Sequence, residues 1–373
     1  MNPHIANPVE VDGKLSFTLS GINVSLANAI RRTILSDIPI VVFKTTPYEE
    51  NKASIFVNTT RLNNEILKQR LSCIPIHITD LEMPLKNYIV ELNVENITDT
   101  IIYVTTEQFK IKNITTNQYL SEKDTKAIFP PNDYTGYYID FVRLRPKITE
   151  EIPGEKISLT CEFSIGTAKE DGSFNVVSTC SYGFTPDDIK IDQELRKKIQ
   201  LWKDEGFSET AIKYESKNWK LLDALRITKQ DSFDFIIQTI GVFTNHELFI
   251  KACEIIINRL IDLDTILETD ELKIERSLNT MENSYDVILE NEDYTIGKSI
   301  EYILYSKFFE NRKTLSFCGF KKMHPHDTES IIRVAYHEPT EKSVVKQNIK
   351  ECIVDAIQVF KKINKEFLKI VKN

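Results

Sequence analysis

The sequence predicts an α+β fold, and three observations lead to that prediction. The stretch GINVSLANAIRRTILSDIP, residues 21–39, has the pattern of one amphipathic helix between two strands. Residues 88–163 consist mostly of β-branched and aromatic runs that alternate with polar residues, which is typical of strands. Residues 246–267 and 342–371 carry apolar side chains three and four positions apart, which predicts two long amphipathic helices.

The first predicted helix covers residues 25–38 and carries two kinds of surface. Ser25 can cap its first turn, because a serine hydroxyl accepts a free backbone N–H. Pro39 ends it, since the residue before a proline is pushed out of the helical region. One face is an apolar stripe of Leu26, Ile30, Ile34 and Ile38. Arg31 and Arg32 lie off this stripe and form either a solvated charged edge or a second face that holds a partner's carboxylates.

The remaining elements follow from short local patterns. Strands are predicted at 15–20, 40–43, 55–57, 89–94, 101–106, 108–112, 157–163, 174–185 and 233–240, with a turn-rich stretch at 125–138. Helices are predicted at 64–71, 192–204 and 208–225, where Trp202 and Trp219 are expected to anchor the helices on the body of the protein. After residue 270 a second α+β segment begins, with strands at 285–289, 314–320 and 331–336 and a helix at 296–307.

Composition narrows the function classes. A chain of 373 residues should form two or three domains. Its net charge of −8 argues against a protein that wraps nucleic acid, whose surface would be basic. The sequence has no apolar run long enough to predict a membrane span. Its six cysteines stand singly in apolar or mixed runs, as expected of buried thiols, and the lack of a C-x-x-C pair makes a four-ligand metal site implausible.

No set of residues in the sequence has the pattern of an active site. His324 and His326 flank one proline and lack further ligands, so a turn is the better interpretation. Cys73 and His77 are separated by Pro75 and lack an orienting acid, which argues against a nucleophile and its base. A glycine-rich phosphate loop is absent. The sequence therefore predicts neither a catalytic residue nor a cofactor.

Two ordered motifs stand in the first part of the chain. The segment NAIRR at residues 28–32, followed by Pro39, matches the pattern N-x-L-R-R…P. Residues 58–76, NTTRLNNEILKQRLSCIPI, follow N-T-T-x-L-x-D-E-x-x-x-H-R-L-G-x-I-P-L, with Asn64, Gln69 and Ser72 replacing Asp, His and Gly. Together they resemble the alpha-like assembly subunits of DNA-directed RNA polymerases, namely bacterial alpha, its archaeal counterpart and the third-largest subunit of polymerase II.

Two further motifs stand near the end of the chain. Residues 291–297, NEDYTIG, are similar to E-D-H-T-L-G-N, with Tyr294 and Lys298 in place of His and Asn at expected surface turns. Residues 319–325, GFKKMHP, follow G-Y-x-x-x-H-P. These resemble the small alpha-like partner subunit, which is the eleventh subunit of polymerase II or its archaeal counterpart. The chain thus looks like a fusion of two subunits, of the kind found in large DNA viruses with their own polymerase.

The resemblance implies three domains. These are a large alpha-like dimerisation domain at 1–44 and 166–268, an inserted β-rich domain at 45–165, and a small alpha-like domain at 269–373, with a linker near 262–273. The two alpha-like domains would form an intramolecular pseudo-dimer, so we expect a monomer rather than a homodimer. The implied interface residues are Leu26, Ile30, Ile34, Ile296, Ile300, Leu304 and Phe360.

The resemblance also implies a function. The chain would be a non-catalytic scaffold that nucleates binding of the second-largest polymerase subunit, through Asn28, Arg31, Arg32, Glu65 and Arg70. Further implied partners are the largest subunit and small subunits of the tenth and twelfth type, without contact to template or membrane. The implied location is the viral factory in the host cytoplasm and the virion, with the nucleus as an alternative. A stand-alone cytosolic enzyme or a nucleic-acid adaptor remains the rival interpretation.

Overall fold

The computed structural model of the chain describes residues 1–149, 151–278 and 280–371. It confirms the predicted mixed α+β class. The chain divides into two compact units. The first consists of residues 1–34, 179–238 and 249–373, and the second of residues 35–178 and 239–248. The predicted boundaries at residues 44, 165 and 268 stay predictions.

The elements are numbered in chain order. The strands are β1 (His4–Val11), β2 (Lys14–Ser20), β3 (Ile40–Val42), β4 (Ala53–Asn58), β5 (Tyr88–Glu95), β6 (Ile102–Thr105), β7 (Lys110–Asn113), β8 (Gln118–Tyr119), β9 (Asp140–Leu144), β10 (Lys156–Glu162), β11 (Ser164–Gly166), β12 (Val177–Pro186), β13 (Thr228–Thr239), β14 (Ile274–Arg276), β15 (Ser284–Glu290), β16 (Leu315–Lys321) and β17 (Glu329–Tyr336). The helices are α1 (Val24–Ser36), α2 (Asn64–Ser72), α3 (Glu122–Ile128), α4 (Asp188–Asp204), α5 (Glu209–Leu221), α6 (Asn245–Glu268), α7 (Tyr294–Leu304) and α8 (Lys342–Val371).

The first unit contains the same ββαββα order twice. The first repeat consists of β1, β2, α1, β12, β13 and α6, and its sheet has the order β1-β2-β13-β12. The second repeat consists of β14, β15, α7, β16, β17 and α8, and its sheet has the order β14-β15-β17-β16. In both sheets the first strand lies at an edge and the second strand pairs with the fourth. The predicted linker is shorter than expected, because α6 continues to Glu268 and leaves only a few residues before β14.

The turn before the first helix is also repeated. Gly21 and Asn291 each have a positive φ, of 74° and 59°. Two residues later, Asn23 and Asp293 accept hydrogen bonds from the backbone N–H groups of Ser25, at 2.9 Å, and Thr295, at 2.8 Å. The predicted cap at Ser25 is therefore wrong, because the Asn23 side chain reaches the first turn before Ser25 does. The end of α1 also falls two residues before the predicted position, at Ser36.

Aromatic rings join the two repeats within the first unit. Phe17 of β2 stacks on Phe235 of β13, with ring centres 5.3 Å apart. Phe249 of α6 and Phe367 of α8 stack at 4.1 Å, and Phe367 also meets Phe17 at 5.4 Å. All four rings are buried. The last helix of the second repeat thus completes the core of the first repeat.

The helix α7 has a feature that the sequence did not predict. It begins at Tyr294 and ends at Leu304, where the predicted helix continued to residue 307, and it is followed by a π-helical segment, Tyr305–Asn311. Tyr294 and Lys298 therefore lie within a helix and not in surface turns. Gly297 lies beneath the Phe320 ring, and a Cβ at this glycine would stand 2.0 Å from a Phe320 ring carbon.

We expect Gly297→Ala to lower stability, although alanine normally stabilises a helix interior by about 1 kcal/mol relative to glycine. The added methyl group collides with the Phe320 ring, and such overpacking costs about 1–3 kcal/mol. In a Phe320→Ala background the same substitution should become stabilising. Urea unfolding of the four variants measures this change of sign. Loss of stability that persists without the Phe320 ring would contradict the explanation.

The second unit is mainly β. Its largest sheet has the order β4-β10-β5-β7-β8, and two small sheets pair β11 with β3 and β6 with β9. Its core consists of buried side chains that include Leu67 of α2, Phe141 of β9 and Leu159 of β10, together with Phe43 just after β3 and Phe109 just before β7. The prediction of a turn-rich stretch at 125–138 is wrong for its first four residues, because α3 extends to Ile128. Three strands of this unit, β8, β9 and β11, were missed because they are short or lack alternation.

Two smaller predictions need correction. Trp219 is buried and Trp202 packs with it in a small cluster formed by residues 191–227, so the tryptophans hold α4 and α5 together rather than anchoring them on the body. Cys73 is exposed, because it lies at the C-terminal end of α2, where its side chain is not covered. No helix among the described residues is long and apolar enough to span a membrane.

Candidate functional site

Arg32 links the two repeats of the first unit. It lies in α1, where its side chain is about one-third exposed. One terminal nitrogen lies 2.8 Å from a carboxylate oxygen of Asp293, and its Nε donates to the hydroxyl of Thr295 at 3.0 Å. Both partners form the N-terminal turn of α7. A residue of the predicted partner face is thus bound within the chain, and its role toward another subunit stays a prediction.

A second arginine of the first repeat contacts the neighbouring carboxylate. Arg259 of α6 forms a two-pronged ion pair with Glu292, in which its Nε lies 3.2 Å from one carboxylate oxygen. The two side chains are mostly buried, with 20% and 14% exposed. Two adjacent acids, Glu292 and Asp293, therefore meet two arginines from different helices of the first repeat. Paired guanidinium and carboxylate groups of this kind fix orientation as well as adding energy.

Asp293 has two roles at once. One carboxylate oxygen caps α7 by accepting the Thr295 N–H, and the other accepts from Arg32. Burial acts most strongly on this group and would raise its pKa. The hydrogen bonds from Thr295 and the charge and hydrogen bond of Arg32 together outweigh burial and lower the pKa of Asp293 to about 2. The charged form is thus the one that the folded chain stabilises.

This lowered pKa predicts acid sensitivity. A carboxylate whose pKa is lower in the folded state stabilises the protein above its unfolded pKa, and that stability is lost as the pH falls. With a fall from 3.8 to about 2, the loss should occur between about pH 4 and pH 2. We expect Asp293→Asn to flatten the pH dependence of unfolding in that window, as measured by urea titration at each pH. An unchanged slope would contradict the assignment.

The predicted interface residues are all buried in the first unit. Leu26, Ile30 and Ile34 of α1 are inaccessible, as are Ile296 and Ile300 of α7. Leu304 and Phe360 are 1% and 0% exposed. Charged pairs extend the contact at the edge, since Lys350 of α8 contacts Glu268 and Lys346 contacts Asp270, at 2.6 and 2.5 Å. The assignment of these seven residues to the interface stays a prediction.

The other predicted partner-binding residues lie in two places. Arg31 donates to Asn28 at 2.9 Å on the half-exposed side of α1. Burial raises the pKa of the Cys180 thiol on β12 to about 12, and the charge of Arg31 acts against that rise. Glu65 and Arg70 belong to α2 in the second unit, where both are exposed. Arg70 donates to the backbone oxygens of Asp140 and Phe141, each at 2.7 Å, and so fixes the start of β9.

Sequence reasoning recognised Glu292 and Asp293 only as parts of a signature and missed Arg259 altogether. A signal for Asp293 exists, because an aspartate two residues before a threonine at a strand-to-helix turn is a typical cap. The pairing with Arg32 joins residues 261 positions apart, which no local pattern reveals. No metal-binding group of three or more His, Cys, Asp or Glu side chains occurs in the described part of the chain.

Comparison with known proteins gives a family match and several relatives. Residues 16–260, more than half of the chain, match the family described as the RNA polymerase Rpb3/Rpb11 dimerisation domain. The chain is 28% identical over 278 residues to the DNA-directed RNA polymerase subunit Rpo3 of Thermoplasma volcanium, covering 67% of this chain and 93% of the relative.

Two eukaryotic relatives are similar at lower identity. The DNA-directed RNA polymerases I and III subunit rpac1 of Dictyostelium discoideum is 24% identical over 286 residues, covering 67% of this chain and 77% of the relative. The corresponding subunit of Saccharomyces cerevisiae is 25% identical over 289 residues, covering 65% and 81%. The family match ends at residue 260, before the second repeat begins. The chain therefore belongs to the family of the RNA polymerase Rpb3/Rpb11 dimerisation domain.

Proposed function

We propose that this chain is a non-catalytic assembly subunit of a multisubunit DNA-directed RNA polymerase. One observation carries the proposal. The ββαββα unit that matches the Rpb3/Rpb11 dimerisation family occurs a second time in the same chain, in the same strand order. The relatives named above are polymerase subunits. A chain that holds both repeats would supply in one piece the platform that separate subunits build elsewhere.

The two repeats form an internal pseudo-dimer and leave the chain a monomer. The Arg32–Asp293 and Arg259–Glu292 pairs support this part of the proposal, since each joins the first repeat to the second. The stacking of Phe367 on Phe249 supports it as well. Sedimentation of the isolated chain should give a monomer. A stable homodimer would contradict the proposal that the chain is a monomer and would leave the family membership intact.

The outward side of α1 is the surface for the second-largest subunit. Arg31 and Asn28 lie there and are half-exposed, and the side chain of Arg31 bonds locally to that of Asn28. Glu65 and Arg70, which are exposed on α2 of the second unit, form a separate set of contacts with that subunit. The largest subunit and small tenth- and twelfth-type subunits join the same assembly. We place the protein in the viral factory and the virion of a large DNA virus, with the nucleus as an alternative site.

The decisive experiment is purification of the tagged full chain from the cells or particles that make it. The proposal expects the two largest polymerase subunits and RNA synthesis in the purified fraction. Arg31→Ala should reduce recovery of the second-largest subunit, whereas Arg196→Ala, on the exposed side of α4, should not. Recovery of the chain alone, at a salt concentration that preserves other complexes, would favour a stand-alone enzyme or an adaptor instead.

A further inference from the structure

The small sheet of β6 and β9 has two different faces. Val104, Val142 and Leu144 point inward and are almost completely buried in the core of the second unit. The alternate positions point the other way, because side chains along a strand alternate between the faces. Tyr103 and Arg143 are paired directly across the two strands and are both exposed. The outer face thus places an aromatic ring beside a guanidinium group.

A groove of about 570 Å³ extends from this face and is rich in arginine. Four arginines line it, namely Arg61, Arg70, Arg143 and Arg145. The acidic side chains that line it are Asp140 and Glu155, so the groove carries an excess of positive charge in a chain whose net charge is −8. Ile101 and Tyr103 add apolar surface, with 53% and 55% of their areas exposed.

The four guanidinium groups are not equally engaged. Arg145 is bound by the buried carboxylate of Glu155, at 2.5 Å. Arg70 donates to two backbone oxygens, which fixes its position, and no carboxylate of the described residues forms an ion pair with it. Arg61 and Arg143 have no side-chain hydrogen bond or ion pair within the described ranges. The exposed guanidinium groups of Arg61 and Arg143 therefore lie beside apolar side chains and are available to bind a partner.

We infer that this groove binds an acidic, partly apolar polypeptide segment of another subunit. Guanidinium groups bind carboxylates in a two-pronged geometry, while Tyr103 and Ile101 offer contact to apolar side chains between the acids. A nucleic acid fits less well, because Tyr103 is the one exposed aromatic ring among the described residues that line the groove, and a single ring offers little base stacking. The inference rests on the proposed function only for the source of the segment.

The test uses the isolated full-length chain and a fluorescein-labelled peptide of alternating glutamate and leucine as the probe. Fluorescence anisotropy should show binding that weakens with salt. Arg61→Glu and Arg143→Glu should each weaken binding by about tenfold, because each removes a charge-assisted hydrogen bond whose free energy corresponds to a change in affinity of about that size. Neither variant removes a hydrogen bond or ion pair among the residues that the structure describes, so both should fold normally. Arg196→Glu, which makes the same charge change on exposed α4, should leave the affinity unchanged.

Other outcomes would overturn the inference. These are no binding of the acidic peptide, equal binding by the Arg61→Glu and Arg143→Glu variants, or tighter binding of labelled oligouridylate than of the peptide. Competition by free glutamate at an equal carboxylate concentration would identify a small-anion site instead. The peptide assay needs no polymerase. Peptide binding can therefore fail while recovery of the other subunits succeeds, and peptide binding can succeed while that recovery fails. The failure of this inference is therefore distinguishable from failure of the proposed function.

Discussion

Phe367→Ala should lower the free energy of unfolding by about 3–5 kcal/mol, the usual cost of deleting a fully buried ring. Phe367 is 1% exposed and contacts the rings of Phe249 and Phe17. It comes from the last turns of α8, yet its partners belong to the first repeat. The substitution therefore leaves a cavity where the two repeats meet. The neighbouring rings of Phe17 and Phe249 cannot move in to fill this cavity, because they are fixed on a strand and a helix.

The measurement is urea unfolding, with Lys369→Ala as the matched control on the same helix turn. Lys369 is exposed and pairs locally with Glu366, so its loss should leave the unfolding midpoint unchanged. If the two repeats are one cooperative unit, Phe367→Ala should shift a single transition. A mutant that unfolds in two separate steps would show that the repeats hold together weakly. A change no larger than that of the control would contradict this packing of the ring.

Arg32→Ala and Asp293→Asn should each destabilise the protein by about 1.5–3 kcal/mol, the range for hydrogen bonds to charged groups. Asparagine keeps the cap on α7, as Asn23 does on α1, so Asp293→Asn removes mainly the charge. The double variant should cost at least about 1 kcal/mol less than the sum, because contacting residues do not act independently. The coupling energy therefore measures the Arg32–Asp293 ion pair separately from the capping of α7.

The matched control cycle uses Arg226 and Asp223, an exposed pair whose charged atoms are 3.9 Å apart. Exposed pairs at this distance contribute little, so the coupling there should be indistinguishable from zero. Similar coupling in the two cycles would mean that Arg32 and Asp293 interact no more strongly than surface charges. In that case the orientation of the two repeats would rest on apolar contacts alone.

Much of the fold could be predicted from local patterns. The helix α8 was predicted with its observed bounds, because apolar residues recur through its whole length. The β-rich segment and α2 were predicted for the same reason, since alternation and periodicity reflect which face is buried. The family resemblance came from motifs whose residues now have physical roles. Asp293 caps and pairs, and Gly297 makes room for a ring.

The unpredicted features depend on distant residues or on small differences in local geometry. The cap of α1 lies at Asn23, because its amide reaches the first turn as well as Ser25 would. Arg259 and Glu292 pair across 33 positions, and no sequence pattern specifies that choice. The arginine groove needs β9 to lie beside α2, which only the tertiary structure reveals. Local patterns thus predict elements, while the pairing of charges requires the assembled chain.

The long separation of β2 and β13 has a consequence for synthesis on the ribosome. Thr18 of β2 bonds to Asp234 of β13, its partner 216 positions later, at 2.8 Å. At about 5–20 residues per second, the hairpin of β1 and β2 waits roughly ten to forty seconds for that strand. Leu15, Phe17 and Leu19, which are buried in the finished protein, lack their β13 neighbours during that time. In the second repeat the paired strands β15 and β17 are much closer in sequence. The nascent chain therefore needs protection from aggregation mainly near its beginning.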